Sequence, residues 1–202
     1  MIQRSTITDS KSDFYKEFPY VIPPIYRKLA DELLVELHLL SHQNNFKITP
    51  VFCIGLRELF MVFTNGYKPD NHITLLFNAI CNCNGFKPDE ITSKAEELGT
   101  KLKSMKLEDL SRNIESIDDN NTNDSYYSRI NAIGIYKIMN VIAGSLKMEV
   151  NDLDNEIIKF AELIGYPKGR VEKDISLYRS NIEKMNQALD IIAQNLTSKK
   201  GK

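Results

Sequence analysis

Apolar residues recur along most of the chain at spacings of three and four, which is the period of an α-helix. The first such segment begins near Pro23, since proline is tolerated in the first turn of a helix. The second begins at Thr49-Pro50, where a hydroxyl side chain can cap the helix and proline follows at its first position. The apolar face of the first helix consists of Tyr26, Leu29, Leu33, Leu37 and Leu40.

Further helices follow at regular intervals, and no segment shows the alternation that is typical of strands. A third helix is predicted over about 71–82, and a fourth begins at Pro88. A fifth is predicted over 126–146 and a shorter one over 152–164. Residues 116–125 contain one apolar residue in ten, which predicts a mobile loop.

The last segment has the most regular pattern, an apolar stripe that alternates by four and three. Burying one large apolar side chain contributes about 1.5–3 kcal/mol, so this stripe must pack against something. We expect its first half to pack within the chain, whereas from Met185 onward packing within the chain and packing on another molecule are equally compatible with the pattern. The stripe is Val171, Ile175, Tyr178, Ile182, Met185, Leu189, Ile192 and Leu196, and the candidate partner seam is its last five members.

These patterns predict an all-α protein, a helical bundle of about six or seven helices with a long C-terminal helix that resembles a coiled coil. We divide the chain into a flexible N-terminal segment (1–20), a helical globular domain (21–166), a C-terminal heptad helix (167–196) and a tail (197–202). Spacing alone leaves the oligomeric state open.

Composition excludes several classes of function. The 202 residues carry 26 basic and 27 acidic side chains, a net charge of −1, so neither a nucleic-acid surface nor a strongly basic lipid-binding patch is expected. The longest apolar candidate, 126–146, is interrupted by Arg129 and Lys137, and we expect no membrane span. The first twenty residues do not resemble a leader peptide. Three irregularly placed cysteines favour a reducing compartment.

The chemistry-bearing residues do not form a recognisable catalytic or metal motif. His38 and His42 have the spacing of a helical metal pair, but Leu39 stands where a metalloprotease would have its general base. Cys81 and Cys83 are closer together than the cysteine pairs of structural zinc sites. Phosphate-binding glycine loops and nucleophile elbows are missing from the sequence. We therefore predict a protein that is not an enzyme and has no cofactor, and a metal-dependent helical hydrolase remains the weaker alternative.

Several short motifs occur in a fixed order: Ile22-Pro23-Pro24-Ile25-Tyr26, His38-Leu39, Pro50-Val51-Phe52 with Gly55, Gly66-Tyr67, Tyr127-Ser128-Arg129 with Gly134, and Asp174 with Tyr178-Arg179. Taken together, these motifs resemble the thylakoid-formation protein family, also called photosystem II biogenesis proteins. The resemblance extends from about Phe14 to Ile192, while the stretch 90–123 matches loosely and the C-terminal helix ends earlier than in many relatives. We expect the residues that carry the resemblance to be structural: Pro23, Tyr26, His38, Pro50, Gly55, Gly66, Tyr67, Tyr127, Arg129, Gly134 and Tyr178.

The resemblance implies an all-helical, non-catalytic accessory protein of thylakoid biogenesis and photosystem II repair. Its implied partners are FtsH-type membrane proteases or photosystem II assembly factors, at the cytoplasmic or stromal side of the thylakoid membrane. The association with the membrane would be peripheral. A structural coiled-coil homodimer, or a scaffold for another partner, is the alternative function.

Overall fold

A computed structural model describes residues 5–118, 126–146 and 150–200, and within these ranges the chain is helical and contains no strand. The all-α prediction is therefore confirmed. Eight helices have eleven or more residues, and two have four. Their bounds are α1 Ile7–Glu17, α2 Pro24–Ser41, α3 Pro50–Phe63, α4 Asn71–Asn82, α5 Pro88–Leu102, α6 Leu107–Leu110, α7 Ile114–Ile117, α8 Arg129–Leu146, α9 Val150–Leu163 and α10 Lys168–Lys200.

Local signals explain where several helices begin. The hydroxyl of Thr49 accepts a hydrogen bond from the backbone N–H of Phe52 (3.2 Å), and Pro50 occupies the first position of α3. Thr6 and Asp9 form a reciprocal capping box at the start of α1. These short-range contacts satisfy N–H groups that have no partner inside a helix.

The core is centred on α3, which packs against α5 and α8. From Val51 to Leu56 every residue of α3 is buried. Gly55 and Gly134 lie at the point where α3 and α8 cross. A side-chain carbon at residue 55 would be only 2.7 Å from the backbone nitrogen of Gly134 and would overlap the carbonyl oxygen of Ile130. The missing side chains therefore allow the two backbones to come into contact.

The N-terminal region differs from the sequence prediction. Residues 1–20 were expected to be flexible, whereas residues 7–17 form α1, which packs on α2 and α4. Phe14 and Phe18 are completely buried, and Ser10 Oγ lies 3.0 Å from His38 Nδ1 on α2. Two buried aromatic rings and one buried polar contact therefore hold this short helix on the bundle.

The predicted loop at 116–125 also begins later than expected. Ser116 and Ile117 belong to α7, and the side chains of Ile117 and Asp118 are buried. The remainder of the predicted loop, 119–125, lies outside the described residues. A single apolar residue, Ile117, accounts for this difference because it packs into the core.

The C-terminal helix α10 is longer than predicted and packs on α8, α9 and α3. It begins at Lys168 and continues to Lys200, through most of the stretch assigned as a tail. Val171, Ile175 and Tyr178 are buried, so the first half of the stripe packs within the chain as expected. The region assigned as a separate heptad helix therefore contributes to the same core as the helices before it.

Candidate functional site

A large open groove lies beside α2. Its volume is about 1110 Å³. One wall is α2 with the residues just before it, and the other is formed by 126–129 and the first turns of α10. The apolar groove, as we call it, is lined by Val21, Ile22, Pro24, Arg27, Lys28, Asp31, Glu32, Val35, Glu36, Leu39, Leu40, Tyr126, Tyr127, Ser128, Arg129, Arg170 and Asp174.

A smaller concavity of about 250 Å³ adjoins the groove between α2, α3, α8 and α10, and we call it the side pocket. Lys28, Glu32, Arg129 and Asp174 line both spaces. Tyr178 and Met185 of α10 line the side pocket but not the groove. Two predicted residues of the C-terminal stripe therefore lie at the same site as the family-signature residue Arg129.

The apolar groove is walled by exposed apolar side chains. Val35 and Leu39 stand one turn apart on α2 with exposed fractions of 38% and 56%. Across from them Tyr126 is 41% exposed, and Val21, three residues before α2, is 83% exposed. Apolar side chains that converge on one groove, rather than being scattered singly, mark a binding surface.

An ion-pair network lies at the boundary between the groove and the side pocket. Arg129, the first residue of α8, donates from Nε to Glu36 Oε2 (2.6 Å), and its Nη2 lies 3.4 Å from Glu32 Oε2. Glu32 is also 3.8 Å from the ammonium group of Lys28. Burial raises the pKa of the Glu36 carboxyl group, and the charge of Arg129 opposes this effect. Arg129 thus links α8 to two consecutive turns of α2.

A second polar contact joins the loop before α8 to α10. The hydroxyl of Tyr127 donates to Asp174 Oδ2 (2.7 Å). Burial and this hydrogen bond raise the pKa of Tyr127, so the residue acts as a neutral donor. Its ring also makes an edge contact with Tyr166, 5.3 Å between centroids. Together with Arg129, this contact fixes both walls of the groove relative to each other.

Other signature residues stabilise the turn after α3, away from the groove. Gly66 has a φ of +78°, a left-handed conformation that glycine adopts without strain. The hydroxyl of Tyr26 donates to the carbonyl oxygen of Asn65 (3.2 Å), and its ring packs on the buried ring of Tyr67. Pro23 is the residue before α2, whereas Pro50 begins α3. Each of these residues therefore lies at a helix start or at the turn after α3, and their structural role stays a prediction.

His38 connects α1 to α2. It is 9% exposed, and its Nδ1 shares a hydrogen bond with the Ser10 hydroxyl. His42 uses its own Nδ1 to donate to the carbonyl oxygen of His38 (2.8 Å). Burial lowers the pKa of His38, and the neighbouring His42 lowers it further. Both imidazoles therefore have local hydrogen-bonding partners.

The cysteines are poorly suited to reactivity. Cys53 and Cys81 are buried, and Cys83 is half-buried. Burial raises the pKa of Cys81 to about 12 and that of Cys83 to about 12, so both stay protonated at neutral pH. Within the described residues no cluster of three His, Cys, Asp or Glu side chains could hold a metal ion.

The five residues of the predicted seam do not share one environment. Met185 is 9% exposed, and Ile182 and Leu189 are half-buried against the core. Ile192 is 44% exposed, and its neighbour Ile191, which the stripe did not include, is 59% exposed. The side chain of Leu196 lies outside the described part of the structure. Of the four seam residues whose side chains are described, Ile192 alone is exposed.

The sequence analysis did not single out the exposed residues of the groove. Val35 and Leu39 lie outside the stripe that was assigned as the buried face of α2, and they are four residues apart. Apolar residues on a second face of an amphipathic helix are a usable signal for a binding surface. Their convergence with Tyr126 could not be seen because that residue is distant in sequence.

Comparisons with known proteins match this chain over nearly its whole length, and they point to one family. Residues 6–202 match the family described as thylakoid formation protein. Protein Thf1 of Prochlorococcus marinus strain NATL1A is 58% identical over 199 residues, which cover 98% of this chain and 100% of the relative. Protein Thf1 of a Synechococcus strain is 37% identical over 203 residues, covering 100% of this chain and 94% of the relative.

The fold also has a solved counterpart. A structure of Psb29 superimposes with a TM-score of 0.85 at 28% sequence identity and covers 98% of both chains. The order of helices described above, including the long α10, is therefore similar to that of a known protein.

Proposed function

Because the chain belongs to the thylakoid formation protein family, we propose that it is a non-enzymatic accessory protein of thylakoid biogenesis and photosystem II repair. The family description supports the role in thylakoid biogenesis. We further propose that the protein binds FtsH-type membrane protease complexes, or photosystem II assembly factors, and stabilises them. This activity would take place at the cytoplasmic or stromal face of thylakoid membranes.

The observation that carries the proposal is the apolar groove with its exposed Val35, Leu39 and Tyr126. Surfaces of this kind are used to bind the apolar face of another protein. Within the described residues no helix is both long and apolar enough to cross a bilayer. A peripheral association through a membrane-bound partner is consistent with these two features.

Affinity isolation tests the partner directly. A tagged copy of this chain would replace the resident family member in a cyanobacterium, and complexes would be isolated from gently solubilised thylakoids. We expect FtsH subunits to be recovered and identified by mass spectrometry. A tagged soluble protein of similar size is the control for non-specific capture.

A functional assay complements the isolation. We expect photosystem II activity to recover slowly after strong light in a deletion strain, and at the normal rate when this chain is restored. Repeated isolations without FtsH, together with normal recovery in the deletion strain, would overturn the proposal.

One observation favours a second function, that of a structural homodimer. The end of α10 exposes Ile191 and Ile192 in adjacent positions, where a second copy could pack on them. Light scattering at several protein concentrations distinguishes this case. A dimer mass that Ile192→Asp converts to a monomer mass would support the homodimer, and a monomer mass at high concentration would exclude it.

A further inference from the structure

The chain contains two Asn-Gly pairs, Asn65-Gly66 and Asn84-Gly85, and each lies in the turn that follows a helix. Such a pair can rearrange with water as the only other reactant. The backbone nitrogen of the glycine forms a bond to Cγ of the asparagine, the Cγ–Nδ2 bond breaks, and the amide nitrogen leaves as ammonia with the proton of the glycine N–H. Water then opens the succinimide ring to aspartate or to isoaspartate. Glycine favours the ring closure because it has no side chain to hinder it.

The two pairs have nearly the same local setting. Each glycine has a left-handed backbone, with a φ of +78° at Gly66 and of +79° at Gly85. An aromatic residue follows each pair, Tyr67 in one case and Phe86 in the other, and both side chains are buried. A difference in reactivity would therefore come from the surroundings of the reacting atoms rather than from the following residue or the glycine conformation.

At the first pair both reacting groups are accessible. Asn65 is exposed, and neither its side-chain amide nor the N–H of Gly66 forms a hydrogen bond within the described structure. The N–H groups on either side of Gly66 do have partners, the carbonyl oxygens of Val62 (3.4 Å) and Thr64 (2.9 Å). The nitrogen that must attack is therefore not held by a competing hydrogen bond, and water can reach the ring that would form.

At the second pair both groups are occupied. Asn84 is only 7% exposed, and its Nδ2 donates to the carbonyl oxygen of Ile80 (2.9 Å). The N–H of Gly85 donates to the carbonyl oxygen of Asn82 (2.9 Å). These bonds would have to break, and the turn would have to open to water, before the ring could close. The second pair is therefore an internal reference for the first.

The turn that contains the first pair is also a junction between helices. The carbonyl oxygen of Asn65 accepts a hydrogen bond from the hydroxyl of Tyr26 on α2 (3.2 Å). A carbon added at Gly66 would lie 3.7 Å from Cδ2 of Leu189 on α10. In isoaspartate the main chain runs through Cβ, and the former carbonyl group of residue 65 becomes a free carboxylate. The product would therefore lengthen the main chain of the turn and replace the acceptor of Tyr26 by a charged group.

We propose that Asn65 is a modification site: its exposed pair with Gly66 converts to isoaspartate and aspartate without an enzyme, while Asn84 stays intact, and the conversion weakens the attachment of α2 to this turn. The isoaspartyl product belongs to the class of substrate that protein isoaspartyl methyltransferases recognise. This inference does not depend on the proposed function.

Incubation of the purified full-length protein in water enriched in heavy oxygen tests the reaction. Each conversion takes up a labelled oxygen atom, and later digestion in ordinary water leaves conversions made during handling unlabelled. Peptide mapping by mass spectrometry then follows residues 65 and 84 in the same sample. Because a reaction that waits for local opening is slowed by the free energy of that opening, we expect Asn65 to convert at least roughly tenfold faster than Asn84.

Two controls assign the difference to the fold. In concentrated denaturant both pairs are open, and we expect Asn65 and Asn84 to convert at similar rates. Asn65→Gln keeps an amide but places it too far away for the five-membered ring, and it should abolish methylation of this turn by an isoaspartyl methyltransferase. The proposal would be overturned if Asn65 converted no faster than Asn84 in the folded protein, or if the same preference for Asn65 persisted in denaturant.

The melting temperature tests the consequence for the attachment of α2. The converted protein carries an additional carboxylate, so anion exchange separates it from the unconverted protein. We expect the converted fraction to melt roughly 2–4 °C lower, which is the shift that the loss of one hydrogen bond produces in a protein of this size. In Tyr26→Phe, which lacks the hydroxyl, conversion should lower the melting temperature by a smaller amount. An unchanged melting temperature of the converted fraction, or the same decrease in Tyr26→Phe, would show that the attachment of α2 is not weakened in this way.

Discussion

At the scale of single residues, Arg129 is a partly buried cation that pairs with two carboxylates of α2. Its side chain is 33% exposed, and that of Glu36 is only 16% exposed. Breaking a buried ion pair costs more than the pair contributes, because it leaves an uncompensated charge in a poorly solvated place. Arg129 is therefore best understood as the group that permits Glu36 to be charged beneath the groove.

Replacement of Arg129 by methionine should destabilise the protein by about 1–3 kcal/mol, less than for a fully buried pair because one third of the arginine is exposed. Without Arg129 the pKa of Glu36, already raised by burial, would rise further. A carboxyl group with a raised pKa in the folded state destabilises the fold as pH increases. Chemical denaturation should therefore show a larger loss at pH 8 than at pH 5.

Two controls accompany that measurement. Arg27→Met removes an exposed arginine that also lines the groove and should change stability by less than about 0.5 kcal/mol. Adding Glu36→Gln to Arg129→Met should recover part of the lost stability, since no charge is then left buried. A loss that does not depend on pH and is not relieved by Glu36→Gln would contradict this account.

His38 gives the fold a second dependence on pH. Burial and His42 lower its pKa below the ordinary value of 6.5, while Asp9 acts in the opposite direction. The folded state holds the proton of His38 less tightly than the unfolded state does. The contribution of His38 to the free energy of unfolding is therefore fully present above about pH 6.5 and is lost as the pH falls below that value. Once protonated, Nδ1 could only donate to the Ser10 hydroxyl.

We expect the melting temperature, followed by circular dichroism, to decrease between pH 7.5 and pH 5.5. The decrease should be smaller in His38→Gln than in the unmodified protein. His72→Gln changes an imidazole that stacks on Tyr20 and should retain the full pH dependence. If the melting temperature of His38→Gln decreased as much as that of the unmodified protein, the pH dependence would have to come from other groups.

At the scale of helices, the sequence predicted helix bounds best where a start or stop signal coincides with the helical spacing of apolar residues. The starts of α3 and α5 and both ends of α4 were found because Thr49-Pro50, Pro88 and Asn84-Gly85 punctuate the pattern. The helix α1 was missed because Phe14 is the one large apolar side chain buried within its bounds, although the Thr6–Asp9 capping box was a readable signal. The groove was not predictable, since its walls come from segments about ninety residues apart.

The spacing of apolar residues could not predict the crossing of α3 and α8 either. This crossing depends on two glycines, Gly55 and Gly134, that come together only in the folded chain. Gly134→Ala would place a carbon 2.9 Å from Cγ1 of Val51 and in overlap with that residue's carbonyl oxygen. The obstacle is backbone, which cannot rotate away. Two helices carrying much of the core would have to move apart.

We expect Gly55→Ala and Gly134→Ala each to destabilise the protein by about 3 kcal/mol or to prevent folding. Gly99→Ala is the matched control, because Gly99 is also inside a helix but has no atom within 4 Å of the added carbon. That variant should be neutral or more stable by up to about 1 kcal/mol. Thermal melts of the three variants measure these differences. Equal changes in melting temperature for Gly99→Ala and the two crossing variants would contradict the close approach of α3 and α8.

At the scale of the whole molecule, α10 holds the bundle together and also extends beyond it. Its first part covers α8 and α9, and Met185 and Leu189 still contact the core near the side pocket and Gly66. From Ile191 onward the described side chains are exposed. The regular stripe that suggested one uninterrupted seam therefore divides into a part that packs on the core and a part whose described side chains are exposed.

Two truncations separate these parts. A chain that ends at residue 189 keeps every residue of α10 that is described as buried and should lose less than about 1 kcal/mol. A chain that ends at residue 181 also loses the buried Met185 and the half-buried Ile182 and Leu189, which together correspond to about 3–5 kcal/mol of apolar burial. Its melting temperature should be lower by roughly 10 °C or more. Equal stability of the two chains would mean that α10 stops contributing to the fold before Ile182, and would return Met185 and Leu189 to the surface available to a partner.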